Sequence, residues 1–114
     1  LDAIPGLTPL RKTDYSDACW HLYPVLIDFS RFSFGRRALM DFLSAAGVGT
    51  QVHYIPVNAQ PYYQRRYDQQ GVLGAEAYYQ ATLSLPLYPS LTYKDQDYII
   101  ESLNAALLDE LNLT

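Results

Sequence analysis

The sequence has 114 residues, 49% hydrophobic and 18% charged, a length and balance that fit one globular domain and exclude a disordered, fibrous or two-domain chain. Its formal net charge of -4 is opposite to the lysine and arginine excess that neutralises phosphates, so neither nucleic acid nor an acidic membrane is an expected partner; Arg31, Arg36, Arg37, Arg65 and Arg66 read as two solvated basic clusters. A single cysteine, Cys19, excludes an internal disulfide and fits a reducing compartment such as the cytoplasm, and no apolar run is long enough to span a bilayer.

The chain opens at Leu1-Asp2-Ala3-Ile4-Pro5-Gly6 without a basic-then-apolar leader pattern. A start without methionine is expected of a piece of a longer protein or of a processed chain. Pro5, Gly6 and Pro9 make the first eighteen or so residues extended, with a short strand around Leu7 to Leu10. Trp20 to Ile27 is rich in aromatic and branched residues on both alternating faces, which predicts a strand covered on both sides, and Pro24 places it near an edge or a bulge.

From Ser33 the period becomes helical. Leu39, Phe42, Leu43 and Ala46 predict an amphipathic helix over Arg36 to Ala46, with Ser33 as its N-cap and Gly47 as the residue that ends it. Thr50 to Ile55 returns to strand character and stops at Pro56. Val57 to Gly74 reads as a long loop with a short helix near Tyr62 to Tyr67. Ala75, Tyr78, Tyr79 and Thr82 suit another short helix, and Leu83 to Leu87 a short edge strand. Thr92 and Asp95 have the spacing of a capping box that opens a final helix over Tyr93 to Leu111, with the stripe Ile100, Leu103, Leu107 and Leu111. The predicted fold class is α+β, a small sheet covered on one face by helices, whose other face must meet something.

No self-contained catalytic constellation is visible. Cys19 and His21 lie two apart without an evident third ligand, no CxxC or HExxH occurs, and no metal site is expected. Glycine-rich phosphate loops and a GxSxG serine are likewise missing. In a strand at 50 to 55, Gln51, His53 and Ile55 share a face, so Gln51 and His53 point at a ligand or a neighbouring domain, or His53 is simply a hydrogen-bonded interface histidine. Eleven tyrosines, crowded into the second half, supply apolar bodies with polar tips, suited to interfaces, to stacking on sugars or bases, or to packing at the core margin.

Five motifs occur in one order: Trp20-His21-Leu22-Tyr23, Gly47-Val48-Gly49-Thr50-Gln51-Val52-His53-Tyr54-Ile55-Pro56, Pro61-Tyr62-Tyr63, Ala75-Glu76-Ala77-Tyr78-Tyr79 and Leu83-Ser84-Leu85-Pro86-Leu87-Tyr88-Pro89. From about Pro5 to Leu108 this series resembles the C-terminal domain of the DegT/DnrJ/EryC1/StrS sugar aminotransferases, most of all the branch that makes a 4-amino sugar on the route to pseudaminic acid. Asn58 departs from that branch, which commonly has a second histidine there.

The resemblance implies that residues 1–114 are the small C-terminal domain of a fold-type I enzyme. Its large N-terminal domain, absent from this chain, would hold pyridoxal phosphate as a Schiff base on a lysine. Only Lys12 and Lys94 occur here, neither in the family's lysine motif, so the chain alone is expected to be inactive and without cofactor. The resemblance further implies a cytoplasmic homodimer that moves an amino group, usually from glutamate, to a keto carbon of a nucleotide-linked 4-keto-6-deoxy sugar. His53 and Tyr54, and less strongly Tyr62 and Tyr63, become candidate substrate contacts; no residue is assigned to catalysis or to cofactor binding. Two alternatives remain, a non-catalytic sugar- or protein-binding module and the small domain of a related sugar dehydratase. The residue that anchors the cofactor upstream of Leu1 separates them.

Overall fold

The computed structural model describes residues 1–67 and 71–111, the side chains as far as residue 108. In chain order the elements are β1 (Leu7–Pro9), β2 (Tyr23–Ile27), α1 (Arg36–Ala45), α2 (Pro61–Arg66), α3 (Leu73–Ala81), β3 (Thr82–Leu85) and α4 (Tyr93–Leu111), with tight helical turns at Phe29–Arg31 and Val57–Ala59. The strands form one antiparallel sheet in the order β1-β2-β3. The architecture is the expected α+β one.

One face of the sheet makes the core. Leu7, Val25, Ile27, Leu83 and Leu85 are buried together with Leu39 and Leu43 of α1 and Ile99, Leu103, Ala106 and Leu107 of α4. The stripes of the two long helices thus meet a common sheet face, as their periodicity requires. Ile100 lies only at the margin of this core, and Leu111 falls beyond the described side chains. On the opposite face Thr82 and Ser84 are also buried, while Leu26 between them and Thr8 stays 37% exposed.

Pro24 corrects the expectation of an edge, because β2 is the central strand. The register shows why a proline fits. Ser84, opposite Pro24, directs both its N–H and its carbonyl away to Gln51, at 2.8 and 3.2 Å, so no N–H is required of Pro24 on that side. On the other side β1 has already ended, with Pro9 opposite Val25. The strand is also shorter than expected. Trp20 to Leu22 lie outside it.

Two helix ends show the local rules at work. The N-cap of α1 is Gly35 rather than Ser33. Phe32 and Phe34, with rings 5.4 Å apart, pack against the core just ahead of this later start. At the other end Gly47 has φ +78, its N–H bonds to the Ser44 carbonyl at 3.0 Å, and the Val48 N–H bonds to the Leu43 carbonyl at 2.8 Å. That is a Schellman closure, and Leu43 and Val48 are the hydrophobic pair that accompanies it. At α4 the capping box is reciprocal: the Thr92 N–H donates to Asp95 Oδ2 at 3.0 Å and the Asp95 N–H donates to Thr92 Oγ1 at 3.2 Å.

Candidate substrate-contact surface

The strand expected at Thr50 to Ile55 does not form. Only Gln51 pairs, in a single antiparallel bridge to Ser84 on the outer edge of β3. Extension of that ladder would put Gly49 opposite Pro86 and His53 opposite Thr82. Pro86 has no N–H. Thr82 has no main-chain group to spare, since its N–H closes α3 on the Tyr78 carbonyl and its own carbonyl accepts from Arg36 Nη1 at 3.3 Å. The ladder is blocked in both directions, and residues 52–56 continue as irregular backbone in which the His53–Tyr54 peptide is cis.

A side chain takes over where the main chain stops pairing. His53 Nδ1 lies 2.9 Å from Ser84 Oγ, and Ser84 is only 4% exposed. Ser84 therefore holds this segment at two points, Gln51 by its main chain and His53 by its hydroxyl. His21, Gln51, His53 and Ser84 line a small cleft of about 190 Å³ together with Gly49 and Leu87. Tyr54 stands beside His53, its ring edge-on at 4.7 Å, and is 68% exposed.

Tyr62 and Tyr63 belong to α2, a single-turn helix that opens with Pro61 at its first position, where a missing N–H costs nothing. Their rings meet edge-to-face at 5.2 Å, and Tyr63 also stacks on Tyr67 at 6.3 Å. Arg66 donates to the Tyr62 hydroxyl at 3.2 Å and lies 5.9 Å from the ring centre. Tyr62 and Tyr63 are 55% and 40% exposed. The four candidate residues therefore form two groups, half-buried His53 with exposed Tyr54 and the exposed pair Tyr62 and Tyr63, and among the described residues no ring contact links the two groups. Asn58, between them in sequence, has its amide 3.5 Å from Glu76 Oε1 of α3.

The sequence reading missed Ser84 as the partner of His53. Its only signal is a lone hydroxyl between Leu83 and Leu85, within the segment expected to be a short edge strand. A larger open groove of about 710 Å³ runs along Leu10, Trp20, Tyr23, Leu87 and Ile100, and none of the four candidates lines it. Among the described residues no group of three or more histidine, cysteine or carboxylate side chains is placed to hold a metal ion, and no helix is long and apolar enough to cross a membrane.

Neither lysine offers a sheltered amine. Lys12 Nζ pairs with Asp17 at 2.8 Å in a largely exposed ion pair, and Lys94 is exposed in the first turn of α4. The residues of this chain do not fit a covalent anchor for an aldehyde cofactor.

The model of the DegT/DnrJ/EryC1/StrS aminotransferase family matches residues 1–104, and the chain belongs to this family. It is 42% identical over 103 residues to the spore coat polysaccharide biosynthesis protein SpsC of Bacillus subtilis, covering 87% of this chain and 26% of that protein. It is 30% identical over 103 residues to the UDP-4-amino-4,6-dideoxy-N-acetyl-beta-L-altrosamine transaminase of Campylobacter jejuni, covering 90% and 27%. Among solved structures it resembles Helicobacter pylori PseC, an aminotransferase involved in the biosynthesis of pseudoaminic acid, with a TM-score of 0.85 and 27% identity over 95% of this chain and 29% of that one. The chain spans about a quarter of the length of the curated relatives it matches.

Proposed function

We propose that this chain is the C-terminal small domain of a pyridoxal-phosphate-dependent aminotransferase that passes an amino group, taken from glutamate, to a nucleotide-linked 4-keto-6-deoxy sugar. The observation that carries the reading is the likeness to PseC over 95% of the chain, in line with the family match over residues 1–104. Pyridoxal phosphate supplies the electron sink for such chemistry, and its anchoring lysine belongs to a large N-terminal domain outside this chain.

In this reading the small domain closes one side of the substrate cleft of a cytoplasmic homodimer. His53 contributes a ring nitrogen for hydrogen bonding. Tyr54, Tyr62 and Tyr63 contribute exposed rings with hydroxyl tips, which cover the apolar face of a sugar or base while bonding its polar groups. An ordinary keto acid is too small to span such a surface, so the preferred substrate is the nucleotide-linked sugar.

The test is the pair of half-reactions of the full-length enzyme. His53→Ala and Tyr54→Phe are expected to lower kcat/KM toward the keto-sugar by about tenfold, the size of one hydrogen bond, while the half-reaction with glutamate changes little. Equal losses in both half-reactions refute a substrate-side role. Turnover of common keto acids with no amination of any nucleotide-sugar refutes the substrate class.

A further inference from the structure

We propose that Ser84 is a positioning residue for His53, its hydroxyl donating to Nδ1 so that the ring hydrogen sits on Nε2 and the histidine meets the substrate as a donor to an acceptor oxygen. The inference rests on the substrate-side role proposed for His53 and adds the group that sets its chemistry.

The argument is one of hydrogen-bond accounting at a buried atom. A serine hydroxyl has one hydrogen to give, and a neutral imidazole has one donor and one acceptor nitrogen. The 2.9 Å contact between Ser84 Oγ and His53 Nδ1 admits both directions. If Nδ1–H donated to Oγ, the largely buried Ser84 hydroxyl would need another acceptor for its own hydrogen. No second partner of Ser84 Oγ occurs among the described residues. If Ser84 O–H donates to Nδ1, both groups are satisfied. Unsatisfied buried hydroxyls are costly, so the second arrangement prevails.

The backbone makes the arrangement rigid. Ser84 lies in β3 between Leu83 and Leu85, both buried, and exchanges N–H and carbonyl with Gln51, two residues before the histidine. The hydroxyl therefore comes from a fixed strand, and the loop carrying His53 is tied to that same strand. The imidazole makes no other hydrogen bond among the described residues, which leaves Nε2 for a ligand. A nitrogen that bears hydrogen suits a carbonyl, hydroxyl or phosphate oxygen and does not suit an N–H group of a base.

Full-length enzyme labelled at histidine, with Ser84→Ala and Ser84→Thr beside it and His53→Ala to assign the signals, separates the possibilities. Heteronuclear NMR of the neutral ring is expected to show Nε2 protonated and Nδ1 as a hydrogen-bonded acceptor. Ser84→Ala should move Nδ1 to the position of a free acceptor and raise KM for the nucleotide-sugar about three- to tenfold, the size of one neutral hydrogen bond, with kcat and the glutamate half-reaction near wild type. Ser84→Thr keeps a hydroxyl and should restore both the signal and KM. A protonated Nδ1 in the wild type, or an Nδ1 signal indifferent to Ser84→Ala, overturns the proposal. If the NMR result holds while His53→Ala leaves keto-sugar turnover intact, the Ser84 bond stands and the substrate role of His53 falls. If His53→Ala is damaging and Ser84→Ala is not, the substrate role stands and positioning by Ser84 falls.

Discussion

Arg36, the first residue of α1, lies with its guanidinium 4.7 Å from the ring centre of Tyr79 and donates to the Tyr79 carbonyl and, at 3.3 Å, to that of Thr82. These carbonyls belong to the C-terminal end of α3 and the residue after it, where helix carbonyls run out of partners and a positive charge is favoured. One side chain thereby joins the start of one helix to the end of another. Arg36→Met, which keeps the apolar stem, is expected to cost about 1–3 kcal/mol in urea unfolding. Arg36→Lys should recover only part of this, because an ammonium lacks the flat guanidinium that lies over the Tyr79 ring while its Nη1 serves both carbonyls. An unchanged unfolding midpoint in Arg36→Met would show the contact to be ornamental.

The two glycines at positive φ should respond differently to alanine. At Gly47, φ +78, a Cβ would meet no heavy atom within 4 Å, so the cost is that of the left-handed backbone alone, about 1–2 kcal/mol. At Gly6, φ +79, a Cβ would also come within 3.1 Å of the Phe32 ring, which is packed on the core. Gly6→Ala should therefore lower the melting temperature more than Gly47→Ala. The reverse order would mean that Phe32 yields without loss.

The capping box gives α4 a dependence on acid. The hydrogen bonds from Thr92, side chain first and backbone second, hold the Asp95 carboxyl below its ordinary value of 3.8, with a smaller contribution from Lys94. A carboxyl with a lowered folded-state pKa stabilises the fold at pH above its ordinary value, and the contribution is lost as pH falls through the folded value. Asp95→Asn should therefore melt below the wild type at neutral pH, and the gap should narrow as pH drops through 3.8 and beneath it. Asp95 is solvent-exposed, so added salt should shrink the gap as well. A gap constant from neutral to acid pH would remove the carboxylate from the explanation.

With Lys12 in a largely exposed ion pair with Asp17 and Lys94 exposed on α4, neither amine is enclosed by groups that would hold a bound cofactor against it. Treatment of this chain with pyridoxal phosphate and then borohydride is expected to leave no stoichiometric adduct at either residue. Peptide mapping that finds one lysine fully modified at low cofactor concentration would identify an anchor that the geometry does not show.

Where side-chain periodicity decides the structure, it was legible in the sequence. Leu39 and Leu43 of α1, Leu103 and Leu107 of α4, Gly47 as a helix stop and the Thr92–Asp95 box follow local patterns and lie where their spacing put them, whereas Phe42 of the expected α1 stripe stays 49% exposed and Ile100 reaches only the core margin. The failures share a different cause. The strand expected at Thr50 to Ile55 is reduced to one bridge because Thr82, thirty-odd residues later, has already committed its N–H and carbonyl, and no local pattern carries that information. Pro24 sits in the central strand for a similar reason, since only the register reveals that its missing N–H faces no partner. Of the candidate surface, His53 and the tyrosines were visible as residue types in a motif; the Ser84 contact required two distant segments to be side by side.

The blocked ladder on β3 bears on how the chain behaves at high concentration. An edge strand with free N–H and carbonyl groups is a template on which a second molecule can add its own strand, the first step toward sheet-to-sheet aggregation. On the outer edge of β3 Ser84 is already bonded to Gln51, Thr82 is engaged with α3 and Arg36, and Pro86 follows at the far end. An incoming strand would find no consecutive pair of vacant groups along this edge. On this edge, the residues that stop the chain from pairing further with itself also keep off the strand of a neighbour.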